Sequence, residues 1–338
     1  MNKLYVDTFI KDQAPQLGQS KPILVHASDG EVYYLKNHKV RMNNGNWYDE
    51  NCAFFNEVIA YKIAKFLNIN TPEAAIIELE SDIMSANSDM LFSRRFSPGL
   101  YYATKKIKDV EDNLEENFLG LLQLGKPYIR TSWNRFFKNI VNTEDIPAII
   151  CMDLLLGNLD RFDNIGNLMV GQSKIGRTIF AIDHGHCFNG PFYDQSKIDF
   201  LNSNIFYNPD EKFQYIDDRI RRIVQVSQSY GRPFNSAGEI FKAIETYVNL
   251  ENPNNHSFLE PVALIESLSI TKLNEFIGDI PNDWCAGGQA QRKAYIEHIL
   301  RQSALLRETI QRFVDSRAFS NYRGGVLSWK KENLTGTQ

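Results

Sequence analysis

Two polar segments beside short apolar runs hold the residues best suited to chemistry. Residues 157–170 read GNLDRFDNIGNLMV, and residues 181–185 read AIDHG. Asp160, Asn167 and Asp183 carry carboxylate or amide oxygens, which are the ligands that Mg²⁺ prefers. The same residue types also cap helices and stabilise turns. Capping accounts poorly for an Asp at the end of the apolar run TIFAI, so we interpret the cluster as a magnesium-bound phosphate site.

The apolar runs beside these residues predict how they are brought together. LMV follows Asn167, TIFAI directly precedes Asp183, and GQSKIGR is typical of a hairpin connection. Antiparallel neighbours place the start of one strand beside the end of the other. Asp160 would lie in the loop before the first strand, after a helix that ends at Gly157. We therefore predict Asn167 and Asp183 as the metal pair, with Asn164 as a turn-stabilising residue.

A lysine and a glutamate earlier in the chain form a second candidate set. Lys36 ends the strand-like run VYYL, where a charged amino group is costly unless it is paired or solvated. Glu57 lies in a helical pattern beside Phe55, Val58 and Ile59. The order of the two residues predicts an ion pair, with the charged atoms within about 4 Å. The alternative is that both are solvated surface charges.

The loop GQSKP, which begins at Gly18, is a weaker candidate for phosphate contact. Gly18 and Ser20 are able to present backbone N–H and hydroxyl groups to phosphate oxygens. The loop does not match the pattern GxxxxGK[ST], so it is not a P-loop. Taken alone, an ordinary surface loop is the better interpretation of this segment.

The elements that must position these residues follow a definite order. Patterns typical of strands occur in LYVDTFI, PILVHA, EVYYLK, EAAIIEL and the region near MLFSRRF. The Asp-Gly pair between PILVHA and EVYYLK predicts a hairpin there. Apolar residues at helical spacing predict one helix from about Asn51 to NINTP. From about residue 98 the pattern is helical apart from NLMV and TIFAID. We therefore predict an α+β fold with a β-rich N-lobe over residues 1–97, a mainly helical C-lobe over residues 98–322 and a polar, poorly ordered tail over residues 323–338.

The composition excludes several functional classes. The 338 residues carry a formal net charge of -4, which argues against direct nucleic-acid binding. No apolar run reaches the roughly 18 residues that a membrane span needs. The four cysteines form no CxxC pair and match no zinc spacing. Free thiols in a reducing cytoplasm are therefore expected.

Taken together, the segments identify a resemblance to one family. The chain resembles the HipA-like kinases over roughly residues 15–300, with its motifs in family order. The segments that carry the resemblance are GQSKP, GEVYYLK, NEVIAYKIAKFLNINTPEAAIIEL, GNLDRFDNIGNLMV, AIDHGHCF and IPNDW. That family is a branch of the protein-kinase-like fold and is distantly similar to phosphatidylinositol kinases. The resemblance implies ATP and Mg²⁺ as cofactors, with the adenine near residues 92–97.

The resemblance also implies a role for each candidate residue. Gly18 and Ser20 would belong to the phosphate-covering loop, Lys36 would bind ATP, and Glu57 would hold Lys36. The remaining roles fall on the later motifs: a catalytic aspartate at Asp160, a metal ligand at Asn167 and the Mg²⁺-binding aspartate at Asp183.

Two departures separate the chain from the family pattern. Phe162 stands where the family usually has the histidine of DRH. The catalytic Asp and the metal-binding Asn are usually about five residues apart, as in the protein-kinase loop, and neither Asn164 nor Asn167 has that spacing from Asp160. Both departures fall in the catalytic loop, and neither removes a group that the resemblance makes essential.

The resemblance implies transfer of the γ-phosphate of ATP to a Ser or Thr hydroxyl of a protein, so we expect a protein substrate or regulatory partner. Three alternatives stay open. The first is a pseudokinase that binds ATP and engages a partner. The second is a kinase of a small molecule or lipid head group, and the third is an enzyme that binds ATP in the reversed orientation and transfers AMP.

Overall fold

Five strands between residues 2 and 105 form a closed barrel, and two more form a small separate hairpin. The computed structural model describes residues 1–10, 21–42, 44–85, 87–111, 124–126, 135–227 and 244–330. The strands up to residue 105 are β1 Asn2–Ile10, β2 Ile23–Ala27, β3 Val32–Leu35, β4 Lys39–Arg41, β5 Trp47–Asp49, β6 Ala74–Leu79 and β7 Gly99–Lys105. The barrel order is β1-β2-β3-β7-β6, with β1 antiparallel to β2 and parallel to β6, while β4 and β5 pair separately.

The hairpin of β2 and β3 forms where the Asp-Gly pair predicts it. Gly30 has φ +79°, a conformation that costs glycine little, and its N–H donates to Ala27 O at 2.8 Å. The register pairs Ile23 with Leu35 and Val25 with Tyr33. The strand that leads to Lys36 is therefore fixed on one side by β2 and on the other by β7.

The helices of the described residues lie mostly after the barrel. They are α1 Ala53–Phe66, α2 Ser81–Ser85, α3 Ser88–Phe92, α4 Asp145–Leu156, α5 Asp160–Asp163, α6 Gln195–Asn202, α7 Pro209–Ser227, α8 Leu259–Glu266, α9 Ile270–Gly278, α10 Gly288–Ala304 and α11 Leu306–Asp315. One further hairpin, β8 Leu168–Ser173 with β9 Gly176–Ala181, lies among them. Within the segments described, every helix is too short or too polar to cross a bilayer.

Two helices supply the buried frame of the candidate site. The predicted helix near Asn51 is present as α1, and its apolar residues Phe55, Val58 and Ile59 are at most 1% exposed. Its polar neighbours Asn56 and Glu57 are buried as well, so α1 is enclosed on more than one face. All twelve residues of α4 are buried, including its two aspartates.

One segment predicted to be a strand is not one, and one observed strand was not predicted. MLFSRRF forms the end of α3 and a turn in which Arg95 has φ +59°, a conformation that a strand does not permit. Conversely, GLYYATK is β7, which pairs with both β3 and β6. The boundary predicted between residues 97 and 98 therefore separates β7 from the barrel that it completes.

Part of the predicted poorly ordered tail packs against the rest of the chain. Leu327 is 1% exposed, and Ser328 N donates to Pro253 O at 2.8 Å. The Trp329 ring lies edge-on to His256, with 4.9 Å between centroids. Ser328 and Trp329 thus contact the loop around residues 249–257.

Candidate functional site

Lys36 lies between two carboxylates from distant parts of the chain. It follows β3, and its backbone N–H donates to Tyr102 O of β7 at 3.1 Å. Its Nζ contacts Glu57 Oε1 and lies 3.0 Å from Asp183 Oδ1. The ion pair predicted between Lys36 and Glu57 is therefore confirmed. Asp183, the second charged partner of Lys36, was predicted for the site but not as a partner of Lys36.

The three charges strongly perturb one another. The Lys36 ammonium lowers the pKa of Asp183 to about 2, although burial opposes the change. Burial raises the pKa of Glu57, and Lys36 opposes that shift. Burial would lower the pKa of Lys36, but Asp183 and Glu57 outweigh it and hold that pKa above its usual value. Lys36 therefore stays charged and allows two acidic groups to lie side by side.

The β8–β9 hairpin brings Asn167 and Asp183 to the same edge, as its sequence predicts. Leu168 pairs with Ala181, and Ile182 N donates to Asn167 O at 3.2 Å. Asp183 follows with φ +57°, in the left-handed region that non-glycine residues seldom adopt. Its side chain is 46% exposed, so one residue both contacts Lys36 and remains accessible from solvent.

Asp160 lies against Asn167. Its Oδ2 accepts a hydrogen bond from Asn167 Nδ2 at 2.5 Å. Asp160 does not lie in an open loop, as was predicted, but begins the short helix α5. The Asn164 N–H closes this helix by donating to Asp160 O at 2.8 Å. The end of α4 is where it was predicted: Gly157 has φ +63°. A Cβ there would lie 3.0 Å from the Phe200 ring.

Asn164 has a local role that accounts for its side chain. Its Oδ1 accepts the N–H of Gly166 at 3.0 Å and so caps the 3-10 turn Ile165–Asn167. This is the turn-stabilising interaction expected of it. The assignment of Asn167 as a metal ligand is not tested by these contacts and stays a prediction.

Sequence reasoning missed the side chains that connect these segments. Arg161 is fully buried beside Asp160 and pairs with Asp153 of α4. His184, next to Asp183, lies 2.9 Å from Arg161 Nη2, and its backbone N–H donates to Glu57 Oε1 at 3.2 Å. Burial and the Arg161 charge hold the pKa of His184 well below its usual value. The available signal was that Arg161 is the one basic residue in GNLDRFDNIGNLMV.

Asn56 fixes the loop that follows Asp183. Its Nδ2 lies 2.7 to 3.1 Å from the carbonyl oxygens of Gly185, Cys187 and Gly190. Its Oδ1 accepts the Tyr295 hydroxyl of α10 at 2.9 Å. Because Asn56 adjoins Glu57 in α1, the helix that contacts Lys36 also holds the Asp183 loop.

The predictions for the phosphate loop and for the adenine position both stay predictions. Gly18 and Ser20 lie outside the described residues. Residues 92–97, where the adenine is expected, connect α3 to β7, and Asn37 Nδ2 donates to Arg94 O at 2.7 Å. This contact ties that connection to the segment that carries Lys36.

Comparison with known proteins supplies the fold class. No model of a known protein family matches the chain, and no curated protein matches its sequence. Among solved structures, the chain is similar to the proinflammatory kinase CtkA of Helicobacter pylori, with a TM-score of 0.52 and 14% sequence identity. The match covers 93% of this chain and 98% of that chain. The fold is kinase-like.

The likeness confirms the kinase-like part of the predicted α+β fold. At 14% identity it establishes the fold alone, because one fold supports many activities. The HipA-like family and the two-lobed arrangement remain predictions.

Proposed function

We propose that this chain is an ATP- and Mg²⁺-dependent phosphotransferase of the HipA-like serine/threonine protein kinase type. The observation that carries the proposal is the position of the Lys36 ammonium group between the carboxylates of Glu57 and Asp183. Lys36 follows a barrel strand, Glu57 lies in a buried helix, and Asp183 lies at the end of a hairpin. A charge-paired lysine of this kind is the part of a kinase site that contacts the ATP phosphates.

Each of the three residues has a distinct task in the proposed site. Glu57 is only 3% exposed, so it orients the Lys36 ammonium without itself reaching the nucleotide. Lys36, at 15% exposed, keeps part of its surface available to phosphate oxygens. Asp183 is the most accessible of the three, which suits a residue that must reach a bound ion.

The oxygen donors at the hairpin edge fit Mg²⁺. Asn167 and Asp183 would hold the ion, since an amide oxygen and a carboxylate are ligands that Mg²⁺ accepts. When bound, Mg²⁺ supplies charge neutralisation of the phosphate oxygens during transfer. The low pKa of Asp183 keeps its carboxylate ionised and ready for a cation at neutral pH.

Asp160 is the proposed residue for the acceptor hydroxyl. It is half-buried, and Asn167 holds its Oδ2, which leaves Oδ1 to orient the hydroxyl and to accept its proton. The acceptor is proposed to be a Ser or Thr of a protein. The four cysteines are free, and we place the activity in the cytoplasm.

Labelled nucleotide distinguishes the proposal from its alternatives. The protein is incubated with Mg²⁺, a cell lysate and ATP labelled at either the γ- or the α-phosphate, beside Asp183→Asn as the inactive control. Label from the γ-position on protein Ser or Thr supports the proposal. Label on a small molecule or lipid corrects the acceptor class, and label from the α-position means AMP transfer. ATP binding without any transfer would identify a pseudokinase and overturn the proposed activity.

A further inference from the structure

One buried arginine, Arg161, follows Asp160 in the chain and contacts the segments that carry Asn167 and Asp183. The Arg161 side chain is 0% exposed. Its Nε donates to Asp153 Oδ2 at 2.7 Å, its Nη1 donates to Asn167 O, and its Nη2 lies 2.9 Å from His184 Nε2. The guanidinium thus joins α4, the 3-10 turn before β8 and the residue after Asp183.

The direction of these hydrogen bonds orients His184. A guanidinium has donors only, so Nε2 of His184 must accept and its hydrogen must lie on Nδ1. Nδ1 is 3.8 Å from Glu57 Oε2. The ring is therefore oriented by Arg161, while the His184 backbone N–H donates to Glu57 Oε1 at 3.2 Å, in the helix that contacts Lys36.

Asp153 balances the buried charge of Arg161. The Asp153 carboxylate is itself fully buried, and Asn158 Nδ2 donates to its other oxygen at 2.9 Å. A buried ion pair often contributes little net stability because its desolvation offsets the attraction. Stability alone is therefore a weak reason for placing a charged pair beside the candidate site.

We propose that Arg161 is a positioning residue that sets the separation of Asn167 and Asp183 for a divalent cation. It fixes the Asn167 backbone directly and fixes Asp183 through His184, while its own backbone follows Asp160. This inference rests on the proposed function and adds to it the residue on which metal affinity depends.

The test measures metal affinity and nucleotide affinity separately. The main variant is the double change Asp153→Asn with Arg161→Gln, which removes both buried charges together and avoids an unpaired carboxylate. Affinity for a non-hydrolysable ATP analogue is titrated without metal and then across a range of Mg²⁺ concentrations. We expect the apparent Mg²⁺ affinity to fall by about 10- to 100-fold, as for other residues that orient metal ligands. Metal-free nucleotide affinity should stay close to the wild-type value.

A matched control lies at the other end of the same hairpin. Arg177 on β9 pairs with Glu111 at 2.7 Å and donates to the Lys138 and Phe136 carbonyl oxygens. Arg177→Gln therefore removes an ion pair and two carbonyl contacts without touching Asn167 or His184. It should leave the Mg²⁺ affinity unchanged.

The outcomes separate this inference from the proposed function. Wild-type Mg²⁺ affinity in the double variant would mean that Arg161 only balances Asp153, and would overturn the inference. Equal losses of metal-free and metal-bound affinity would point to a structural role and overturn it too. If the double variant does not fold, Arg161→Lys keeps the pair with Asp153 but cannot span both Asn167 O and His184, and it must show the same loss. A wild-type protein whose nucleotide binding ignores Mg²⁺ would contradict the proposed function itself, and the inference with it.

Discussion

At the scale of single residues, the Lys36 ammonium group allows the carboxylates of Glu57 and Asp183 to lie close together. Two carboxylates this close would normally raise each other's pKa, so that one would take up a proton. The ammonium group between them reverses this for Asp183, whose pKa is about 2. The site thus holds one exposed carboxylate that is ionised over the whole physiological range.

Asp160→Asn is expected to abolish transfer while leaving ATP binding nearly intact. The asparagine oxygen still accepts from Asn167, so the local geometry is kept, but the group no longer acts as a base. Positioned bases contribute on the order of 10²- to 10⁴-fold, and turnover should fall by that factor. Steady-state rates with γ-labelled ATP and nucleotide affinity by calorimetry provide the two measurements. Unchanged turnover in a folded variant would remove Asp160 from the mechanism.

Asn164 and Asn167 make a matched pair for the metal assignment. Asn167→Ala should weaken Mg²⁺-dependent nucleotide binding by at least about tenfold, because a proposed ligand is lost. Asn164→Ala should instead cost about 1 kcal/mol of stability through its lost contact with Gly166 N, with Mg²⁺ affinity unchanged. Mg²⁺ titrations and urea unfolding of both variants test this. The reverse pattern would make Asn164 the ligand.

At the scale of elements, α1 and α6 hold the loop after Asp183 from two sides. Asn56 of α1 contacts three of its carbonyl groups, and Lys197 of α6 donates to Gly190 O at 2.6 Å and to Cys187 O at 3.3 Å. Lys197 is 1% exposed. The loop position therefore depends on one buried amine as well as on an amide.

Lys197 should give the stability a recognisable pH dependence. Burial lowers its pKa to about 8, although Cys52, Cys187 and Asp194 favour the charged form. The unfolded chain keeps the proton up to a pKa of about 10.4. Between these values the unfolded state binds more protons, so stability rises with pH, by up to ~3 kcal/mol over the window.

The measurement compares Lys197→Met with the wild type by urea unfolding from pH 7 to 10. The wild type should gain stability relative to this variant as the pH passes 8. Lys212→Met serves as the control, because Lys212 pairs with Glu308 at a solvated surface, and its difference from the wild type should stay flat. Parallel curves for Lys197→Met would show that the buried amine does not titrate in this range.

The elements themselves were predictable where the local signal is strong. Asp-Gly marks the β2–β3 turn, helical spacing marks α1, and Gly157 marks the end of α4. The strand β7 escaped prediction because its buried residues, Tyr101, Tyr102 and Ala103, are consecutive. A strand buried on both faces lacks the alternation that identifies strands in a sequence.

The site was predictable only in part, for a related reason. Lys36 and Glu57 were paired from their order, and Asn167 with Asp183 from the hairpin pattern. The network of Arg161 was not, because pairing between Asp153 and Arg161 depends on how the chain turns after α4. Spacing alone does not distinguish such a buried pair from two surface charges.

At the scale of the whole molecule, Trp284 links the barrel to the helices that follow it. The residue lies in a 3-10 turn before α10 and is 6% exposed. Its Nε1 donates to Leu100 O of β7 at 3.3 Å, and its ring meets Phe54 of α1 at 5.0 Å between centroids. Through its contacts with β7 and α1, one side chain therefore connects three parts of the sequence.

Trp284→Ala should lower the free energy of unfolding by about 3–5 kcal/mol, the usual cost of removing a buried aromatic side chain. Trp284→Phe should lose far less, about 1 kcal/mol for the hydrogen bond. Trp47→Ala is the control, since Trp47 is 38% exposed on β5 and a surface change of this kind costs about 0.5 kcal/mol or less. Urea unfolding followed by circular dichroism gives all three values. Equal losses at Trp284 and Trp47 would mean that the barrel and the helices are not joined through this residue.

The parallel pairing of β1 with β6 has a consequence for the order in which the chain folds. β1 is made before the other barrel strands, but its partner β6 ends at residue 79 and the bridging strand β7 at residue 105. At synthesis rates of about 5–20 residues per second, β1 waits roughly 4 to 14 seconds before β6 is complete. During that time the β1–β2–β3 sheet has two open edges with unpaired N–H and C=O groups. The nascent chain is thus most prone to pair with a neighbour before β7 leaves the ribosome, and β1, the earliest of the barrel strands, is among the last to be enclosed.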